Sequence, residues 1–390
     1  MSIDTAFYVH WPYCEAKCPY CDFNSHLTRN LHEHEEFYAK AILAEIEYYA
    51  HTYGKRYLTS IYFGGGTPSL MSENTLLRIL EQIAKFYILA DGIEITIEVN
   101  PASYMYDKFK CYRKIGINRV SIGVQSFNAE ALKDLGRVHN VAEAEQALYC
   151  AGDLFDNYSF DLIYARYGQS IEEWEEELYY GLSFDAPHMS LYELTIEPGT
   201  KFETLVKNGK MKVISSDEGA KFYDLTQKIM NKALKPAYEV SNHAAEGFSS
   251  KHNNSYWKYK EYIGVGPGAH SRIWLLGTPI IMAQYNEKQP NLWQKRIIEF
   301  GSAIKQKYML DSQAQAEELI LNSMRIKEGL NVSRFELLWG RSLCNKAIND
   351  LISKKFLEPM RKTGYNAKYL RPTQKGLLFV DYIIRTLTKL

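Results

Sequence analysis

The chain has 390 residues, more than one ordinary domain and within reach of one barrel plus a small appendage. Its 46 basic and 46 acidic residues cancel, which removes the electrostatic reason for nucleic-acid binding. The apolar fraction of 46% is ample for a core, yet no run approaches the roughly eighteen apolar residues of a membrane span.

The first residues, M-S-I-D-T-A-F-Y-V-H, lack a basic region followed by an apolar run, so no secretory signal is expected and a cytoplasmic location is. Phe7 to His10 reads as a first strand and feeds the stretch Y-V-H-W-P-Y-C-E-A-K-C-P-Y-C-D-F-N-S-H from Tyr8 to His26. Cys14, Cys18 and Cys21 stand there in C-x3-C-x2-C spacing. Thiolates ligate soft metals and iron–sulfur clusters. Three of them would leave one iron of a 4Fe–4S cluster open to a non-protein ligand, and an open metal position is where chemistry occurs. A structural zinc site is the plain alternative, but it asks for paired knuckles; Cys111, Cys150 and Cys344 are scattered.

Downstream, short β-rich runs alternate with helical stretches. Helical periodicity covers His34 to Tyr49. Thr59 to Phe63 is a strand that runs into Gly64-Gly65-Gly66-Thr67-Pro68, where successive glycines allow close backbone approach. Ser72 is a plausible N-cap for the next helix. Further strands are expected at Ile93 to Val99, Arg119 to Val124, Ser159 to Tyr164 and His188 to Leu194, six in all. Their polar residues fall at or near their C-terminal ends, where a β/α barrel keeps its site: Glu98 and Asn100, Gln125, and Asp161 within its strand. In I-E-I-T-I-E-V, Glu94, Thr96 and Glu98 share one face, inward or outward as a set. The pattern predicts an α/β fold, a parallel sheet built from βα units.

After Lys235 the pattern changes. Lys235 to Asn242 suggests one more strand. Lys251 to His270 is rich in aromatics and glycines without a clear period, and Gln284 to Trp293, with Pro290, reads as a linker. Helices are expected at Ala314–Ile326, Val332–Trp339, Leu343–Ser353 and Leu377–Leu387, with a β-ribbon from Phe356–Glu358 and Tyr369–Arg371. This helical, winged-helix-like order reads on a neutral chain as a cap rather than a DNA reader. The expected division is residues 1–240 for the barrel, 241–290 for a motif segment and linker, and 291–390 for the C-terminal domain.

The cysteine spacing after an apolar strand resembles the radical S-adenosylmethionine (SAM) superfamily, which implies a partial (β/α)6 barrel, a 4Fe–4S cluster on Cys14, Cys18 and Cys21, and SAM chelating the open iron. An aromatic residue before the last cysteine is a family habit, filled here by Tyr20. The resemblance assigns Gly64, Gly65, Gly66 and Thr67 to a SAM-binding turn and Glu98 to the SAM ribose. Tyr8, Gln125, Arg137 and Asp161 match positions beside SAM or a second ligand; an ordinary strand aromatic is the plain reading of Tyr8.

The motifs Y-V-H-W-P-Y-C, F-G-G-G-T-P-S, S-I-G-V-Q-S-F-N, L-G-R-V-H-N, L-Y-E-L-T-I-E-P-G-T and Y-E-V-S-N-H look like the coproporphyrinogen III oxidase-like group, over most of the chain from Phe7 to His270. Phe23 stands where the oxidases carry a further cysteine, and strand one starts almost at the first residue, where they have an extension. The tract C-D-F-N-S-H is instead that of the haem-chaperone branch. So is His252-Asn253-Asn254-Ser255-Tyr256-Trp257, which matches an H-N-x-x-Y-W motif associated with haem. Imidazole ligates haem iron and aromatics suit a flat macrocycle; the alternative is a loop histidine with core aromatics. Tyr256, or a histidine elsewhere such as His270, stands as an alternative iron ligand to His252. The G-V-G-P-G run at Gly264 to Gly268 would let backbone pass close to a large planar ligand. One departure from the group is Ala165-Arg166-Tyr167 in place of Gly-Leu-Pro.

The implied function is a haem chaperone that binds a 4Fe–4S cluster, SAM and haem, and delivers haem to acceptor proteins such as respiratory enzymes. An electron donor is implied, and no catalytic residue is assigned. The alternative readings are oxygen-independent coproporphyrinogen III oxidase and a radical SAM enzyme of unrelated substrate. Whether SAM is cleaved, and the oligomeric state, are open at this level.

Overall fold

The computed structural model describes residues 4–28, 30–102, 105–361 and 368–388. In chain order the elements of the barrel are β1 (Asp4–Trp11), β2 (Tyr13–Cys14), β3 (His26–Leu27), α1 (Leu31–Tyr53), β4 (Tyr57–Gly65), α2 (Glu73–Phe86), β5 (Ile88–Val99), α3 (Met105–Lys114), β6 (Arg119–Gln125), α4 (Ala129–Asp134), α5 (Val141–Leu154), β7 (Tyr158–Tyr164), α6 (Ile171–Leu182) and β8 (His188–Glu193). There follow α7 (Lys201–Lys207), α8 (Ser216–Lys232), β9 (Asn242–Ala244), α9 (Lys251–Trp257), β10 (Glu261–Val265), β11 (His270–Trp274), β12 (Ile281–Asn286), α10 (Pro290–Phe300) and β13 (Ile304–Leu310). The C-terminal unit holds α11 (Ser312–Ser323), β14 (Leu330–Asn331), α12 (Val332–Trp339), α13 (Asn345–Ser353), β15 (Leu357–Arg361), β16 (Lys368–Pro372), α14 (Gln374–Leu377) and α15 (Val380–Thr388).

Strand alternation sorts side chains between two environments. In β4, Ile61 and Phe63 are buried in the helix layer, while Ser60 and Tyr62 point into the barrel and bond His252 and Glu98. β1, β4, β5, β6, β7 and β8 lie side by side and all parallel, the six strands expected. The outer face carries the main apolar core, in which Trp11, Phe63, Phe109, Phe160, Trp174 and Trp293 are fully buried. Caps set the helix starts: the Ser72 side chain accepts from Thr75 N, as expected, and Ser170 forms a capping box with Glu173.

Sequence and structure part in three places. Lys235 to Asn242 is mostly a turn; the strand is Asn242–Ala244, antiparallel to β8, because Leu234 takes a left-handed φ of 58° and Pro236 follows it. Gln284 to Trp293 is not a linker but the end of β12 and the start of α10. Pro290 opens that helix at its first turn, where a missing N–H costs nothing. The expected boundaries at 240 and 290 fall within one sheet, since β10 pairs in parallel with β1 and carries β11, β12 and β13 with it, giving eleven strands. The C-terminal helices and three-stranded ribbon form the winged-helix-like order expected. They pack a second core, around Leu319, Phe335, Leu351 and Ile383, onto Tyr259 and Ile281.

Six parallel strands do not close on themselves. Helix α9 links β9 at one sheet edge to β10 beside β1 and lies against β1, β4 and β10. Glu94, on the inward face of β5, holds its N-terminus: it accepts from Ser250 Oγ (3.1 Å), Lys251 N (3.0 Å) and His252 N (3.0 Å). A carboxylate suits the free N–H groups and dipole of a helix start. Glu94→Ala should therefore cost about 3 kcal/mol, because three buried donors lose one acceptor. Urea unfolding measures this; a loss under about 1 kcal/mol would show that α9 is held by other contacts.

Candidate functional site: the barrel mouth and its cysteine loop

The C-terminal ends of the strands open on a cavity of about 540 Å³. Cys14, Cys18 and Cys21 all line it, on the loop that leaves β1. Their thiols are unpaired, and burial pushes those of Cys14 and Cys21 up. Two sulfurs accept polar hydrogens, from Thr67 Oγ1 to Cys14 Sγ (3.4 Å) and from Arg137 Nη1 to Cys18 Sγ (3.6 Å). Asn100 joins these donors: its Nδ2 donates to Thr67 Oγ1 (3.3 Å) and its Oδ1 accepts from Arg137 Nη2 (2.8 Å). One polar chain thus runs from Cys14 through Thr67, Asn100 and Arg137 to Cys18. Hydrogen bonds and positive charge beside thiolates are the protein's means of setting the potential of a cluster. Tyr20 lines the same cavity and packs against Phe202.

The glycine turn serves close approach. A Cβ on Gly66 would stand 2.6 Å from Tyr13 O and 3.0 Å from Cys14 Sγ, so only glycine lets the end of β4 lie against the cysteine loop. Gly65 N donates to Glu98 Oε2 (3.2 Å), and Tyr62 Oη donates to Glu98 Oε1 (2.9 Å). The set Glu94, Thr96 and Glu98 faces inward. Glu94 seats α9, and Glu98 lines the cavity, its carboxyl pushed up to about 7 by burial and then by nearby Asp161. Asp161 is itself pushed up to about 6 by burial. Gln125 lines the mouth from a left-handed φ of 69°, a strained backbone of the kind that clusters at working sites.

Of the residues expected around SAM, Tyr20, Gly65, Gly66, Thr67, Glu98, Gln125, Arg137 and Asp161 come together on this cavity. Gly64 lies beneath it: a Cβ there would meet the Tyr8 and Tyr62 rings and Glu98. Tyr8 faces a neighbouring cavity of about 400 Å³, with Glu98, Gly65, Phe23 and Tyr256. Glu98, Gly65 and Phe23 line both spaces.

The Radical SAM superfamily model matches residues 8–178. The mitochondrial Radical S-adenosyl methionine domain-containing protein 1 of Danio rerio is 33% identical over 389 residues, 99% of this chain and 87% of that protein. The protein named Heme chaperone HemW in Escherichia coli is 31% identical over 385 residues, 97% of each chain, and that of Haemophilus influenzae 32% over 383 residues. The chain belongs to the HemW family of the radical SAM superfamily. The solved structure of E. coli coproporphyrinogen III oxidase (HemN) superposes at a TM-score of 0.81 and 20% identity, over 99% of this chain and 90% of that one, a likeness of fold.

For a HemW-family chain the expected haem motif has an unexpected position. His252 lies on a helix, not in a loop. It is 1% exposed on the first turn of α9 inside the barrel. Its Nδ1 pairs with Ser60 Oγ (3.0 Å), its Nε2 with Tyr256 Oη (2.9 Å), and its ring stacks on Tyr62 at 4.7 Å. Burial, and then Arg119, push it down to about 3, so it is neutral with both nitrogens in use. Tyr256 reaches the second cavity, whereas Trp257 is half-buried and lines neither space. In the Gly266–Gly268 turn, a Cβ on Gly268 would stand 2.7 Å from Asn24 Nδ2, and Gly268 also borders the second cavity.

Sequence reading passed over Arg119, Ser121, His188 and Tyr192, which line the cavity floor. Strand alternation was the available signal, since each lies two residues or a multiple of two from a polar neighbour facing the same way. Arg119 is 2% exposed, and its Nε has no hydrogen-bond partner among the described residues.

The raised carboxyl of Glu98 carries a pH prediction for SAM. Ligand hydroxyls donate to a carboxylate, so Glu98 must lose its proton on binding. Affinity should rise as pH passes from 6 to 8, by up to roughly tenfold per unit below the Glu98 pKa. Glu98→Ala should weaken binding by about 1–3 kcal/mol and flatten that profile. Calorimetry on cluster-loaded protein measures both; equal affinity in parent and variant would remove Glu98 from the site.

Proposed function

We propose that this chain is a haem carrier: it binds a 4Fe–4S cluster through Cys14, Cys18 and Cys21, binds SAM at the barrel mouth, and passes haem to acceptor proteins. The observation that carries the reading is the match, over nearly the whole chain, to relatives named Heme chaperone HemW, joined to a cysteine loop that lines one cavity with Glu98 and Arg137. The residues fit the group. Three soft thiol ligands share one wall, Thr67 and Arg137 hold polar hydrogens toward two of them, and Gly66 leaves a cradle that a Cβ would fill.

When bound, a thiolate-ligated cluster with an open iron supplies one-electron chemistry at SAM. The chain's own part is to orient and to exclude water. Arg137, anchored by Asn100 and by Gly123 O (2.9 Å), holds its guanidinium beside Cys18. Glu98 offers acceptors to hydroxyls, and Gln125 and Asp161 present further polar atoms from neighbouring strands. Haem is the cargo. Phe23, 60% exposed on the cysteine loop, brings an apolar surface to the junction of the two cavities. Among the described residues no helix is long and apolar enough to cross a membrane; a reducing compartment such as the cytoplasm suits the thiols. Acceptors among respiratory haem enzymes belong to this reading.

Replacing all three cysteines with serine should abolish the thiolate-to-iron absorption near roughly 400 nm and strip the bound iron; an unchanged spectrum and iron content would overturn the cluster assignment. Reconstituted protein given coproporphyrinogen III and SAM without oxygen should return the porphyrinogen unaltered, and haem-loaded protein should lose its haem to an apo-acceptor. Formation of protoporphyrinogen would replace the carrier reading with the oxidase.

A further inference from the structure

We infer that haem iron is ligated by His270, at the second cavity, and not by His252 of the H-N-x-x-Y-W motif. This rests on the haem-carrier reading and adds to it the axial ligand and the place of the macrocycle.

An iron ligand needs an accessible nitrogen lone pair. Among the motif histidine and those that line the two cavities, His252 spends both nitrogens on Ser60 and Tyr256. His10 spends both on Tyr8 Oη (3.0 Å) and Asn24 O (2.9 Å). His188 spends both on Ser159 Oγ (2.6 Å) and Tyr238 Oη (2.9 Å). His270 is exposed at the start of β11 and lines the second cavity. Among the described residues neither of its ring nitrogens has a hydrogen-bond partner. Burial, and then Arg272 and Lys288, hold its pKa below the ordinary value, so it is neutral near pH 7, the form that ligates.

The ring is also fixed in place. His270 meets Tyr285, its partner across the β11–β12 pair, edge to face with centroids 4.4 Å apart. The turn before it is held on two sides. Buried Glu45 accepts from Gly266 N (2.7 Å), and Asn24 Nδ2 donates to Pro267 O (2.9 Å) and Lys288 O (2.9 Å). A ligand on so braced a turn keeps its direction without haem.

The surroundings suit a haem edge. Tyr256 and Tyr262 pack edge to face at 4.7 Å and, with Phe23, give the cavity aromatic walls. Lys288 lines the same cavity, has no ion pair among the described residues, and offers a cation for a propionate. Arg272 nearby is already paired with Glu318 (2.8 Å). A space of about 400 Å³ open to solvent holds part of a macrocycle and leaves the rest accessible to a recipient. It meets the SAM cavity at Glu98, Gly65 and Phe23, so haem there lies next to the cysteine loop.

The test titrates ferric haem into the full-length parent and into His270→Ala, His252→Phe and Lys288→Ala, following the Soret band, the spin state by paramagnetic resonance, and affinity. Circular dichroism and iron content check that each variant is folded and cluster-competent. His270→Ala should move the Soret band, lose the histidine-ligated resonance, and bind at least roughly tenfold more weakly; added imidazole should restore the spectrum. His252→Phe should keep the parent's Soret position when folded, and Lys288→Ala should weaken affinity without moving the band. A His270→Ala protein with the parent's spectrum and affinity overturns the assignment while leaving the carrier reading intact. A parent that binds no haem overturns both. Should His252→Phe misfold, the imidazole rescue of His270→Ala decides alone, its failure counting against His270.

Discussion

An incomplete barrel has to be closed by something other than strand pairing, and here the closure hangs on one carboxylate. Glu94 collects three donors at the start of α9, and α9 then lies against β1, β4 and β10 and leads the chain from β9 to β10. The interior that results is unusually polar: Glu98, Asp161, Arg119, His188 and His252 all face it. Such groups are costly in a dry interior unless bonded. The structure meets that cost by keeping the histidines neutral, each bonded twice, and by leaving Glu98, Asp161 and Arg119 to face a cavity. The barrel floor is thus solved as structure, and its mouth stays available to ligands.

The same closure aligns the cysteine loop. α9 delivers the chain to β10, β10 pairs with β1, and the Gly266–Gly268 turn beyond it lies against Asn24. On the opposite side the loop rests on Gly66 and Thr67 at the end of β4. Residues more than two hundred positions apart therefore hold the loop from both flanks, and the H-N-x-x-Y-W helix supports the cysteines without touching them. The H-N-x-x-Y-W motif thus shapes the barrel, with both ring nitrogens of His252 bonded inside the protein.

Much of this was legible in the sequence. The parallel strands showed because each buries apolar residues and several carry a polar residue at or near the C-terminal end, as with Glu98, Gln125 and Asp161, and Cys14, Cys18 and Cys21 showed because their spacing is local. What could not be read was long-range. No pattern in K-H-N-N-S-Y-W marks it as a helix capped by Glu94, since the acceptor lies more than 150 positions away. Pro290 makes Gln284 to Trp293 look like a linker because a proline that opens a helix and one that interrupts a loop look alike until the neighbouring turn is known. The inward strand residues Arg119, Ser121 and His188 were hidden by facing the interior of a barrel rather than a recognisable motif.

The loop after β7 shows how a departure from the group is absorbed. Ala165 sits at a left-handed φ of 56° and is buried, a conformation that glycine takes freely and alanine only at a cost. The residue after it offsets that cost. Arg166 Nη2 pairs with Glu177 (2.7 Å) and Nη1 donates to Ile163 O (2.8 Å). Glu177 also accepts from Ser126 Oγ, from Phe127 N (2.8 Å) and from Gln169 Nε2 (3.2 Å). Glu177 is thereby the common acceptor for the loops after β6 and β7, and the strained Gln125 stands just before the first of them. Without Arg166 this carboxylate would lose its cation, so the bulkier residues do not merely fill the loop. They brace the backbone that presents Gln125 and Asp161 to the barrel mouth, and the geometry there is kept by an ion pair.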